Sequence, residues 1–417
     1  MFKRRNDFTK LILIIATGLI VVLLLTLANY NFAKQNPGGN DFLVHWMGTK
    51  MLIKEGVSPY SEETASAIQR FAYGHEARDG EHELRVAYPL YSIIIFSPFA
   101  LISNYTLARA VWMTILEAGL LFLSYLSMKI TDWFPNKKIM IPFLLFSIFW
   151  YHGLRPLING NVVILIAVAI VGVLISIKNR EDELAGVLLA LTTIKPQVAL
   201  VFSIFIIFWA IRMKRFKIVG WFIAVLFLLS LSATLLIPDW FLQNLREVIR
   251  YPGYNPPGTP SSALVALMPD IWGRVGFVIS GIMNILLIFE WTFYKKNTNY
   301  KQFLWLAVIT LAASQWVGIQ TDPGNFIVLF PGIVLLFSTW NSRWKNHGSK
   351  MVMVNMILLF LGLWILFITT VEYGYQPQQS PIMFFPLPGY LLLMLYWIRW
   401  WVIRPDELWY EKIVNKD

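Results

Sequence analysis

The sequence contains no cysteine, and charged residues fill only 14% of its 417 positions. Without thiols there is no disulfide framework, no thiolate nucleophile and no Cys-ligated zinc or iron–sulfur centre. A soluble domain carries about 25% charged and about 45–50% apolar residues. Here 57% are hydrophobic, with 30 Phe and 18 Trp, which excludes a soluble globular enzyme and a disordered chain. Also missing are a Walker-type phosphate loop, GxGxxG, HExxH and GxSxG, so nucleotide-driven transport, dinucleotide cofactors and the common hydrolases find no support. The net charge of +11 does not point to nucleic acid. The bases sit between apolar runs, as in a polytopic membrane protein with positive cytoplasmic loops.

A spanning helix needs about 20 predominantly apolar residues. Thirteen apolar segments stand out: 11–29, 88–104, 106–128, 139–153, 157–177, 184–194, 196–212, 217–237, 271–293, 303–320, 325–341, 351–371 and 383–403. Lipid offers backbone groups no water, so each is expected to be a helix. The first follows Lys3, Arg4 and Arg5 and shows no small-residue cleavage pattern, so it reads as a retained anchor. Basic loops at Lys178 and Arg180, Arg212 to Lys217, Lys295 to Lys301, Arg343 to Lys350 and after Arg404 alternate with base-poor loops at 238–270, 321–325 and 372–382. This places both termini in the cytoplasm of a multi-pass cell-membrane protein. Termini on one side require an even number of spans, so about 12 are expected, with one segment among 88–177 re-entrant or two fused. Segment 184–194, about 16 Å long as a helix, is too short to span alone. The expected fold is an all-α polytopic bundle forming one domain over 1–417.

The longest hydrophilic stretch, 30–87, falls on the outer side and carries eight acids, six bases and three of the five histidines. In a chain this poor in polar groups it is the first place to look for chemistry. Asn40 or Asp41 is a plausible N-cap after Pro37-Gly38-Gly39, opening a short interfacial helix that Gly56 ends. A second short helix is expected over 61–73. Asp41 and His45, four apart, share a helix face and suit a general-base pair; a plain helix cap is the simpler alternative for Asp41.

Lys195-Pro196 interrupts an apolar stretch. A mid-membrane lysine costs about 2.5–3.5 kcal/mol on insertion scales and normally faces a cavity or partner, while Pro196 frees backbone groups there. Lys195 either meets a lipid phosphate or snorkels to the interface. Arg155-Pro156 and Gly160-Asn161 form an irregular outer break, where Arg155 either clamps a phosphate or anchors the interface. Loop 238–270, with Arg246 and Arg250 on one face and a Pro/Gly tract from Pro252 to Pro260, reads as an outer lid or a plain connector. Asp322 reads as a turn former. Glu117 and Glu290 fall within spans, where they would serve ion coupling or an inter-helix hydrogen bond.

Taken in order, Asp41-Phe42 with Trp46, Gly56, Pro59-Tyr60, Tyr88-Pro89, Pro98, Ala110, Trp112, Gly160, Ala185-Gly186 and Lys195-Pro196 resemble the GT-C superfamily, and within it glycosyltransferase family 87, over roughly residues 38–220. The resemblance implies a GT-C-like bundle with a catalytic outer first loop. It implies a polyprenyl-phosphate hexose, with mannose as one candidate sugar, as donor, a lipid or glycan as acceptor and membrane lipids as surroundings. Asp41 falls on the catalytic base and Lys195 on the donor cavity; His45, Tyr60, Tyr88, Arg155, Asn161, Arg250 and Asn325 complete the expected substrate-binding set. Leu90 departs from a usual second proline, Asn161 from a frequent glutamine and Asn325 from a histidine of some members, which leaves the sugar open. No metal, cofactor or nucleic acid is expected. A transporter or flippase of lipid-linked saccharides, with Glu117, Glu290 and Lys195 as coupling charges, is the rival reading.

Overall fold

The computed structural model describes residues 2–255, 258–268, 272–294, 299–373 and 377–403. The expected basic residues Lys295 and Lys296, the tail after Arg404, and Pro256 and Pro257 of the Pro/Gly tract lie outside them. The helices are α1 (Phe2–Gln35), α2 (Asn40–Glu55), α3 (Glu62–Tyr73), α4 (Ile93–Ala100), α5 (Tyr105–Thr131), α6 (Lys137–Phe149), α7 (Tyr151–Asn159), α8 (Val163–Asn179) and α9 (Asp182–Thr192). They continue with α10 (Pro196–Arg212), α11 (Phe216–Leu236), α12 (Trp240–Arg250), α13 (Pro260–Leu267), α14 (Trp272–Phe293), α15 (Tyr300–Ser314), α16 (Phe330–Arg343), α17 (Lys345–Thr370) and α18 (Pro386–Ile403). Short 3-10 turns at Leu90–Ser92, Tyr251–Gly253, Pro323–Leu329 and Pro381–Phe384 and a two-residue antiparallel ladder, β1 (Glu372–Tyr373) with β2 (Pro377–Gln378), join them.

Among the described residues, seven helices are long and apolar enough to cross a membrane, or eight if the bent pair α6–α7 is one span. The shorter apolar helices are Leu90–Ala100, Val163–Asn179 and Pro196–Arg212. The 45° bend at Trp150 falls in the region where sequence parity required an irregular segment. The break expected at Arg155-Pro156 is therefore displaced: α7 continues through Pro156 and ends at Gly160. Segment 88–104 does not cross. Trp46 of α2 donates to the Phe99 carbonyl at 2.9 Å, and Tyr105 at the start of α5 reaches back to the Gly38 carbonyl at 2.8 Å, so α4 returns to the end it started from.

Two ends of the bundle differ in chemistry. At one, Asn244 of α12 donates to the Ala87 carbonyl at 3.0 Å, Ser58 bonds Gln243 at 2.6 Å and His152 Nδ1 donates to the Pro323 carbonyl at 2.8 Å. The first loop, α7, α12 and the 321–325 turn therefore gather there. At the other, Lys178 meets Asp132 at 2.7 Å, Arg215 pairs with Asp182 and Arg212 donates to the Trp291 carbonyl at 2.9 Å. The span Pro323–Arg343, 89% buried, is the central post, whereas Ile12–Gln35, 6% buried, lies at the periphery with its leucines and isoleucines facing outwards. Since lipid removes most of the hydrophobic drive between helices, polar contacts carry part of the packing. Trp305 to the Leu395 carbonyl (2.8 Å) and Trp364 to the Phe149 carbonyl (2.9 Å) are of this kind.

Candidate active site

Helix α2 opens after Gly39, whose left-handed conformation makes the turn without a side-chain cap; Asp41 lies inside the first turn and caps nothing. The cap reading of Asn40 or Asp41 thus gives way, because the Gly38-Gly39 turn is already held by the Tyr105 hydroxyl. Phe42 stacks on Trp112 at 5.5 Å and 15°, and Trp112 donates to the Gly160 carbonyl at 2.7 Å. Gly160 sits at φ +70°, and a Cβ there would stand 2.5 Å from that of Phe42. Only glycine permits both the turn and this approach, which brings the next residue, Asn161, to Asp41.

Asn161 Nδ2 donates to Asp41 Oδ2 at 3.0 Å, while Asn161 Oδ1 accepts from Lys195 Nζ at 2.7 Å and from the Val163 backbone N–H at 2.9 Å. The backbone donor settles which end of the amide is oxygen. Acid and ammonium are thereby joined through a neutral spacer instead of pairing directly. Lys195 is 3% exposed, its ammonium 5.3 Å from the Tyr88 ring centroid. The buried, inward-facing ammonium does not match the snorkelling reading. Asp41, by contrast, is half-buried, and its Oδ1 has no hydrogen-bond partner among the described residues. Burial raises the Asp41 pKa above the usual carboxylate range, the Lys195 charge opposes this, and Asp322 adds to it.

Arg155 donates to Asp322 at 2.7 and 3.4 Å. A Cβ on Gly324 would meet both side chains, at 2.5 Å from Asp322 Oδ1 and 2.8 Å from Arg155 Nη1, so the pair depends on glycine there. Asp322 also accepts from the Gly324 N–H. Burial would raise its pKa, but Arg155 and these bonds prevail and hold it below the ordinary value. Asp322 is more than the turn former that its Asp-Pro-Gly setting suggested.

Two recesses flank this centre. One, a narrow cleft, is lined by Gln197, Tyr251, Asn255, Thr321, Asp322 and Asn325, among others. The other, equally narrow, is lined by His45, Tyr60 and Tyr88 with Thr49, Ser92 and apolar neighbours. Of the expected site residues, Asp41, Asn161 and Lys195 are bonded together, Arg155 is next to them, and Asn325 lines the first recess. His45, Tyr60 and Tyr88 share the second, with the Tyr60 hydroxyl donating to the Tyr88 carbonyl at 2.7 Å. The expected Asp41–His45 couple is not formed. The imidazole stacks on Tyr88 at 3.9 Å and Phe96 at 4.8 Å, and burial, with help from Lys195, lowers its pKa to about 3, leaving it neutral.

Arg250 stands apart, 2.7 Å from Glu83 and 3.2 Å from Glu62. Both carboxylates also bond buried Arg85, itself 3.5 Å from Glu247 of α12. This network fastens α12 to the first loop. Tyr251, Gln197 and Asn255 were not picked out from the sequence; the adjacency of Gln197 to Lys195-Pro196 was the one available signal. Among the described residues no three His, Asp or Glu side chains group as metal ligands.

These features define a multi-pass membrane protein with a charged, polar centre at one end of its helix bundle. Residues 87–312, just over half of the 417-residue chain, match the family model of glycosyltransferase family 87, and the chain belongs to that family. It is therefore a glycosyltransferase acting on a sugar donor and an acceptor in a membrane context. No curated protein and no solved structure matches it. The family match begins at residue 87, so Asp41 and most of the first loop lie outside it.

Proposed function

We propose that the protein is an inverting hexosyltransferase that moves a sugar from a polyprenyl phosphate to a lipid or glycan hydroxyl at the extracytoplasmic side, with Asp41 as general base. The observation that carries this reading is the Asp41–Asn161–Lys195 chain: a half-buried carboxylate with one open oxygen, linked by an amide to a buried ammonium. A carboxylate held above its ordinary pKa is a better proton acceptor near neutrality. Asp41 takes the proton of the acceptor hydroxyl as its oxygen attacks the anomeric carbon and the bond from that carbon to the phosphate oxygen breaks. Negative charge then grows on the departing polyprenyl phosphate. Lys195, which uses one of its three N–H donors on Asn161, stabilises that charge. Arg155 is committed to Asp322 and contributes through the field of the pair.

The gathering of the basic loops at the opposite end supports an extracytoplasmic centre and cytoplasmic termini. A lipid-linked donor also suits a centre reached from the bilayer. Helix α10 runs about 25 Å from Pro196 to the basic end; with that end in the cytoplasm, as proposed, this length agrees with Lys195 near the outer boundary of a ~30 Å hydrocarbon layer. Mannose is the sugar suggested by the resemblance of the motifs. With its cations supplied by side chains, transfer is expected to continue in the presence of a chelator.

The test is purified protein in lipid vesicles with radiolabelled polyprenyl-phosphate hexoses. Transfer by the wild type and none by Asp41→Asn is the expected result. Near-normal turnover by a folded Asp41→Asn protein would remove the base assignment. Translocation without transfer would favour the transporter reading instead.

A further inference from the structure

Tyr105, Arg109 and Trp112 of α5 follow the i, i+4, i+7 spacing that puts side chains on one helix face. The outer two hold the site's surroundings, Tyr105 the Gly38-Gly39 turn and Trp112 the Phe42 ring and the Gly160 carbonyl. Arg109, between them, is 1% exposed. Its Nη1 donates to the Asn36 carbonyl at 2.7 Å and its Nη2 to the Ile158 carbonyl at 3.2 Å, and the guanidinium lies 5.9 Å from the Phe32 ring centroid. Among the described residues no carboxylate is in salt-bridge contact with it. A cation this deep is costly without a counter-charge, and near the start of α5 it also sits at the positive pole of its own helix. Two other helix ends offset this. Asn36 follows the last residue of α1, and Ile158 lies in the last turn of α7. Each such end presents unpaired carbonyls and about half a negative charge.

The places of those two carbonyls in the chain point beyond charge balance. Asn36 stands five residues before Asp41, and Ile158 three before Asn161. One planar group thus holds both segments shortly before the Asp41–Asn161 hydrogen bond. Gly39 leaves room for it, since a Cβ there would stand 2.5 Å from Arg109 Nε and 2.9 Å from Cδ. The guanidinium offers its donors in a rigid fork, which the single ammonium of a lysine cannot imitate. We propose that Arg109 is a positioning residue, whose guanidinium bridges the first loop to the end of α7 and fixes the register at which Asp41 meets Asn161. Its bearing on catalysis rests on the general-base reading of Asp41 above; the geometric claim stands apart from it.

The absence of cysteine allows a direct measurement. With Asp41→Cys and Asn161→Cys introduced together, the full chain in lipid nanodiscs is treated with dibromobimane, which fluoresces once both its arms have reacted with neighbouring thiols. The protein with Arg109 intact is expected to give the fluorescence and Arg109→Lys to lose most of it. Tyr105→Phe, which loosens the same turn without cutting the bridge to α7, should keep it. In transfer assays with Asp41 and Asn161 in place, Arg109→Lys should lower kcat by about 10²-fold, the cost of a displacement of about 1 Å, with the donor KM little changed. That penalty should vanish in an Asn161→Ala background, where the contact it protects is already gone. Four results overturn the assignment: no fluorescence with Arg109 intact, equal fluorescence from Arg109→Lys, equal loss from Tyr105→Phe, or a kcat penalty that adds in full to that of Asn161→Ala. Failure of both Arg109→Lys and Arg109→Gln to fold does so too, by making Arg109 a folding residue only. Cross-linking that depends on Arg109, in a protein transferring no sugar, would sink the transferase reading and leave the positioning role standing.

Discussion

Among the described residues, two groups of buried charge are finished to different degrees. In the first, Glu290 of α14 accepts from Arg399 of α18 at 2.9 and 3.0 Å and from the Tyr396 hydroxyl at 3.0 Å, so both carboxylate oxygens are occupied. The Arg399 guanidinium also lies 4.8 Å from the Trp305 ring centroid. In the second, Asp41 uses one oxygen, Lys195 one donor, and Asn325 leaves an amide end empty beside a recess. A saturated network holds helices together and has no capacity left for a ligand. An unsaturated one pays for burial without full return, and that deficit is what a substrate can make good. The contrast separates a helix clamp from the proposed catalytic centre without reference to any motif.

The contrast can be broken most severely at Asp41. Asp41→Asn should lower kcat/KM for sugar transfer by about 10²–10⁴-fold, the usual worth of a general base, with an unchanged melting temperature. Lys195→Met comes next. Losing a charge aimed at the leaving group should reduce kcat by about 10²–10³-fold, read in single-turnover assays with saturating donor.

A subtler pair concerns the acid limb of the pH–rate profile, where Asp41 must be deprotonated to act. Lys195 holds the Asp41 pKa down and Asp322 holds it up. Residual activity of Lys195→Met should therefore lose its acid side at higher pH than the wild type, and Asp322→Asn at lower pH, the more so because Arg155 is then unneutralised. Shifts in the same direction for both variants would show that a different group governs the limb. The smallest effect on chemistry belongs to the saturated pair. Glu290→Gln should leave kcat near the wild-type value while lowering the melting temperature. The loss of stability should be less than the ~3–5 kcal/mol of a fully buried pair, since the Arg399 side chain is 39% exposed.

Much of the architecture was legible beforehand because lipid imposes a coarse rule, that apolar runs become helices. Segments 196–212, 217–237 and 271–293 match α10, α11 and α14 almost residue for residue. Gly56 ends α2 and Ser61 caps α3, each by local backbone chemistry. What the sequence left out has a common cause. Asp322 does form the expected turn, accepting from the Gly324 N–H, but its ion-pair partner, Arg155, is far away in the chain, and Arg250 looked available because Glu62 and Glu83 belong to another loop. His45 has the helical spacing for a partnership with Asp41, yet Tyr88 and Phe96 take its ring.

The sequence by itself determined the class of molecule, the helices and the segregation of basic loops, since these follow from hydropathy and charge along one stretch of chain at a time. The tertiary structure decided which polar groups meet. It joined Asp41 to Lys195 through Asn161, locked Arg155 to Asp322 and left one end of the Asn325 amide open. Those contacts depend on approaches between distant segments, such as the one Gly160 allows against Phe42. Hydrogen bonds act over about 3 Å, a distance at which neighbours in space count and neighbours in sequence need not.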